Sequence, residues 1–153
     1  MPSTNDTAPA VPSAATPATR AVPVLTRHPL PLAGLLALAT LPAHALLPET
    51  WSIALAATVL AAIAGVYAGF ALLDGRSAAL RREGAVALGF VLYATVTAEL
   101  APMWLPLGYV AHGLWDAVHH RHDCALTMPR GYVPLCAVYD VLAGIGLWLI
   151  WLT

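Results

Sequence analysis

From Trp51 to Leu73 the chain runs for 23 residues without a single charged side chain. A helix of that length is about 35 Å long at 1.5 Å per residue, enough to cross the roughly 30 Å hydrocarbon layer of a bilayer. Three further apolar runs have similar reach: about 29–47, about 85–103 and about 132–152. A shorter and more polar one covers about 106–121. Only 10% of the residues are charged and 59% are hydrophobic, against roughly 25% charged in ordinary soluble domains. No water-soluble core in a chain of 153 residues could absorb so much apolar sequence. In hydrocarbon every backbone N–H and C=O must be paired within the segment, so the runs are read as helices. The expected fold is an all-α, polytopic transmembrane bundle of about five spans, with four spans plus a re-entrant segment as the alternative.

The basic residues test this map. All seven are arginines: Arg20, Arg27, Arg76, Arg81, Arg82, Arg121 and Arg130. With five spans, each precedes the first span or lies between spans two and three or four and five. Those segments share one side of the membrane. Merging spans three and four would carry Arg121 and Arg130 to the other side. The positive-inside rule therefore favours five spans in a cell inner (plasma) membrane, with the N-terminus cytoplasmic and the C-terminus outside. Residues 1–28 are Ala-, Thr-, Ser- and Pro-rich and read as a flexible cytoplasmic tail. The transmembrane domain is expected over 29–153. Two cysteines, Cys124 and Cys136, make neither a disulfide framework nor a CxxC zinc ribbon. A net charge of −1 gives no nucleic-acid footprint, which leaves the bilayer as the expected partner.

The stretch that carries chemistry is His112-Gly-Leu-Trp-Asp116-Ala-Val-His119-His120-Arg-His122-Asp123. At about 100° per residue, His112, Asp116, His119 and Asp123 share one stripe, with His120 at its edge. Ionisable groups inside a membrane are costly unless they face the bundle interior or water. The last span offers Cys136 and Asp140, four residues apart and on one side. A short loop joins the two helices, and Asp116 and Asp140 fall at similar depth. Asp116, His119, His120, Cys136 and Asp140 are therefore expected to converge, with His112 beside them. Imidazoles and carboxylates at i, i+3 and i+4 spacing suit a divalent transition metal such as Zn, Fe or Mn. The expected ligands are His112, Asp116, His119, His120 and Asp140, and Asp116 and Asp140 are the candidate catalytic acids. His122, Asp123 and Cys124 read as a solvated helix end. Glu99 is expected to pair with His44 or to reach His112, with Tyr93, Thr95 and Thr97 lining the same cavity. Asp74 and Glu83 read as surface charges among the arginines. Gly65 and Gly69 have the GxxxG spacing that lets helices approach closely.

The segment His112–His120, followed by Pro134, Cys136 and Asp140, resembles a family of uncharacterised small bacterial integral membrane proteins that share a late His-x3-Asp-x2-His-His motif. The resemblance covers roughly residues 30–152 and implies a multi-span fold but no activity. A more distant likeness, of chemistry only, is to seven-span membrane hydrolases of the alkaline-ceramidase type, which gather His and Asp around zinc. This chain has fewer spans, lacks their His-x3-His pair and offers no matching serine.

Three functions fit these residues. One is a metal-dependent membrane enzyme, a hydrolase or oxidoreductase acting on a lipid-soluble small molecule. Another is a cation or proton transporter using Glu99, His112, Asp116 and Asp140 as a relay. The third is a structural or assembly subunit.

Overall fold

The computed structural model describes residues 27–121, 126–129 and 131–152, with His120 and Arg121 described in backbone only. Among the described residues five long helices follow one another: α1 Pro29–Leu46, α2 Glu49–Leu73, α3 Ser77–Leu100, α4 Leu105–Arg121 and α5 Tyr132–Trp151. A 3-10 turn, Pro102–Trp104, joins α3 to α4. The breaks follow from local chemistry. Pro29 and Pro31 open α1, where the first turn has no intrahelical use for their missing N–H groups. Gly75, at φ +66°, closes α2. Its N–H donates to Leu72 O and that of Arg76 donates to Ala71 O, a left-handed glycine cap that satisfies two end carbonyls.

Contacts between the loops fix the course of each helix. At one end, the Thr127 N–H donates to Asp74 Oδ2 at 2.9 Å, joining the α2–α3 turn to the α4–α5 loop. At the other, Trp148 Nε1 donates to Met103 O at 2.9 Å. Ser52 Oγ lies 3.0 Å from both His44 Nδ1 and Trp151 Nε1 there. The chain thus runs up and down five times, and α4 travels the full distance rather than turning back. Arg76, Arg81 and Arg82 all lie at the Asp74–Thr127 end, as does the last residue of α4, Arg121. Arg20, Arg130 and the tail up to residue 26 lie outside the described residues.

Four of the helices, α1, α2, α3 and α5, are long and apolar enough to cross a membrane. α4 has 17 residues, about 25 Å, and carries the ionisable stripe. Leucines such as Leu38, Leu73, Leu88 and Leu149 point outward and are well exposed, as lipid-facing side chains would be. The interior instead favours small residues, among them Ala56, Ala64, Ala71, Ala94 and Ala143. α5 packs between α1 and α4, and the α2–α3 hairpin closes over α4.

On the α4–α5 seam, glycines face the backbone of the neighbouring helix. A Cβ at Gly113 would sit 2.9 Å from Ala137 O, and one at Gly144 would sit 2.8 Å from Pro106 O. The GxxxG pair does not make such a contact, because a Cβ at Gly65 or Gly69 would meet nothing within 4 Å. Gly113→Ala and Gly144→Ala should therefore each destabilise the bundle by about 1–3 kcal/mol through overpacking against backbone. Gly65→Ala should be neutral or slightly stabilising, since alanine has the better helix propensity. Unfolding of purified protein from mixed micelles, followed by circular dichroism, measures the difference.

Candidate functional site

His112 and Asp116 stand one turn apart on the inward face of α4, and Asp140 faces them from α5 across Gly113. His112 Nδ1 lies 2.7 Å from Asp140 Oδ2 and 3.8 Å from Asp116 Oδ2. All three residues are buried, at 2%, 0% and 1% exposure. One ligand atom from each can be chosen so that all lie within 4.8 Å of one another. Each also has an atom with no hydrogen-bond partner: Asp116 Oδ2, Asp140 Oδ1 and His112 Nε2. Buried polar atoms are rarely left unpaired, so three in one cluster need an explanation.

Neighbouring helices hold the cluster. Tyr67 of α2 donates its hydroxyl to Asp116 Oδ1 at 2.7 Å, which leaves Oδ2 turned toward His112. Phe90 of α3 meets the His112 ring edge to face at 5.0 Å. Toward the Trp148–Met103 end, Leu60, Leu105, Tyr109, Ala143 and Leu147 form a continuous apolar core. Tyr109 donates to Ala56 O within it, so its hydroxyl is already committed.

His119 is buried on the same helix but does not join the cluster. Its Nε2 faces Glu83 Oε1 at 3.3 Å and its Nδ1 faces Trp115 O at 3.1 Å, so neither nitrogen is aimed at Asp116. The helical stripe was wide enough for His119 to turn to α3 instead. Glu83 also departs from expectation. It is 1% exposed and accepts from Arg82 at 2.7 Å as well as facing His119. Tyr67 separates the two polar groups, its ring stacked on His119 at 4.3 Å and its hydroxyl on Asp116.

Other expected members fall elsewhere. Cys136 is half-buried one turn before Asp140 and stays outside the three-residue group. Glu99 is exposed at the end of α3 and pairs with neither His44, which bonds Ser52, nor His112. Thr95 and Thr97 bond backbone carbonyls of their own helix, and Tyr93 donates to Trp104 O. The side chain of His120, together with His122, Asp123 and Cys124, lies outside the described residues. Sequence reasoning passed over Tyr67 and Glu83. A signal for Glu83 existed, because it shares one helical face with Phe90, Ala94 and Thr97, and Ala94 and Thr97 are buried.

No known protein family, curated protein or solved structure matches the chain.

Arg82 is half exposed and stays solvated without Glu83, so Glu83→Ala chiefly leaves the buried His119 imidazole without its Glu83 contact. Loss of a buried hydrogen-bond partner costs about 1–3 kcal/mol, and Glu83→Ala should lose stability on that scale. Glu99→Ala, at an exposed site, should change it by no more than about 0.5 kcal/mol. Parallel unfolding curves for the two variants test the assignment of Glu83 to the interior.

Proposed function

We propose that this integral membrane protein binds a divalent transition metal, Zn, Fe or Mn, between His112, Asp116 and Asp140, and that it is a metal-dependent enzyme acting on a lipid-soluble substrate. The observation that carries the reading is the group of three buried donors within 4.8 Å, each with an unpartnered atom. Two carboxylates side by side in a low-dielectric interior need a cation or a proton between them. His112 Nδ1 lies 2.7 Å from Asp140 Oδ2, and a metal ion held by the three side chains would supply the positive charge that the two carboxylates lack. One imidazole and two carboxylates are a donor set suited to these metals. Three protein ligands leave coordination positions open, as in catalytic sites, where a bound metal lowers the pKa of water and polarises substrate oxygen. Asp140 and Asp116 are then the groups placed to accept or return a proton. Tyr67 acts as a positioning residue for Asp116.

A relay across the whole bilayer has less support. The apolar core around Leu60 and Tyr109 lies beyond the cluster, and Glu99 stands apart. A purely packing role for the cluster is the competing reading, since Tyr67–Asp116 and His112–Asp140 tie α2, α4 and α5 together.

Metal analysis of purified full-length protein separates these. We expect a transition metal in the wild type and its loss in His112→Ala, Asp116→Ala and Asp140→Ala, with metal retained in His119→Ala. Tyr67→Phe should weaken binding about 10–100-fold, the range for groups that orient metal ligands. A folded wild type that takes up no metal would overturn the proposal in favour of packing.

We also place the arginine-bearing end in the cytoplasm of a cell inner membrane, with the cluster in the inner leaflet and the C-terminus outside. Fusion reporters at the C-terminus test this. Alkaline phosphatase should be active there and green fluorescent protein dark.

A further inference from the structure

An apolar groove of about 290 Å³ runs along the outside of the bundle between α3 and α4. Val86, Gly89, Phe90, Tyr93, Leu107 and Ala111 line it, and almost nothing polar faces into it. Val86, Gly89 and Phe90 lie in the middle third of Ser77–Leu100 and Tyr93 just beyond it, so the groove opens onto hydrocarbon and not onto a headgroup layer. An aliphatic chain is complementary to such a lining.

Its position relative to the buried cluster gives this groove its interest. Phe90 belongs to both places, forming a groove wall on one side and contacting the His112 ring at 5.0 Å on the other. Ala111, another wall residue, directly precedes His112. Gly89 keeps the groove hollow, because a side chain there would meet nothing within 4 Å. A second groove, of about 300 Å³ and equally apolar, is lined by Leu47, Trp51, Ala54, Leu55 and Thr58. Neither groove is lined by His112, Asp116 or Asp140, but the second also lacks a wall residue such as Phe90 that contacts His112, so it serves as an internal comparison for ordinary lipid contact.

We infer that the α3–α4 groove is a binding site for the aliphatic chain of the substrate, holding that chain against Phe90, the side chain that separates the groove from His112. This rests on the metal-enzyme reading above and specifies the substrate class: an amphiphile with one long hydrocarbon chain. Ligand sites commonly combine a largely apolar wall with a few convergent polar groups, and the groove and cluster together have that composition.

The test uses full-length protein in phosphatidylcholine vesicles and a hexadecanol analogue carrying a chain-borne diazirine. After photolysis, labelled peptides are mapped with and without excess unlabelled hexadecanol. We expect labelling of the 86–93 and 107–111 segments that the competitor suppresses, against unsuppressed labelling of 47–58. Gly89→Leu and Ala111→Leu should each reduce the competed labelling by about tenfold, since filling an apolar pocket by a few methylenes is worth that much. Metal content is measured on the same samples. Retained metal in both variants, with the competed labelling lost, supports the inference. Two results overturn it: equal, uncompeted labelling of the two grooves, or competed labelling unchanged in both leucine variants. Competed labelling by a wild type that holds no metal would keep the chain site and overturn the metal reading, so the two failures are distinguishable.

Discussion

The close contact of α4 with α5 at Gly113 is the constraint on which the site depends. Without a side chain at this position, α4 can lie against the backbone of α5, and a Cβ there would be 2.9 Å from Ala137 O and 3.3 Å from Asp140 Cβ. That proximity brings Asp140 within 2.7 Å of a histidine that is its neighbour on the seam but 28 residues away in sequence. In hydrocarbon, an ionisable side chain can be accommodated only by a partner or an ion. The seam supplies a partner and sets three unpartnered polar atoms close together. Stability and chemistry are therefore set by the same few ångströms of helix separation, and a change that widens the seam would disturb both.

Tyr67 divides the polar interior into two regions with different chemistry. On one side are two carboxylates and a histidine, with three unpartnered atoms and no permanent positive charge. On the other, Glu83 already has the guanidinium of Arg82 and the imidazole of His119. A cation is favoured where negative charge lacks compensation, and the first region meets that condition better than the second. The tyrosine touches both, stacking on His119 and donating to Asp116. It keeps one carboxylate oxygen occupied and the other free. Tyr67 thereby fixes the direction in which the Asp116 carboxylate points.

Helical spacing predicted that His112 and Asp116 share a face, and the short loop predicted that Asp140 would oppose them. Both conclusions follow from geometry within an element and from simple connectivity. Spacing placed His119 on that stripe too, but it cannot say which neighbouring helix lies over each part of the stripe. The rotation of α3 decides that, bringing Glu83 to His119 and removing it from the Asp116 group. Glu83 was misread for a related reason. Its sequence neighbours Arg81 and Arg82 suggest a solvated turn, yet it lies on the inner face of α3 while Arg82 beside it is exposed. Charge runs report the membrane side of a segment well and the direction of an individual side chain poorly.

α4 shows how a helix too short and polar to qualify as a span by composition can still run the length of the bundle. Its outward positions are Leu107, Leu114 and Val118, all apolar and exposed. Its inward positions are His112, Asp116 and His119, each buried against another helix. A mean over the sequence averages these two faces and conceals the separation, whereas lipid meets only the first. The polar face is stable there because α2, α3 and α5 cover it, each with a polar group of its own: Tyr67, Glu83 and Asp140. Such a helix could not enter a bilayer by itself at low cost, so its place in the membrane depends on the bundle that surrounds it. The ionisable cluster is thus held in position by three partner helices at once. Simple anchoring in a membrane would not require contacts from so many helices on one polar face.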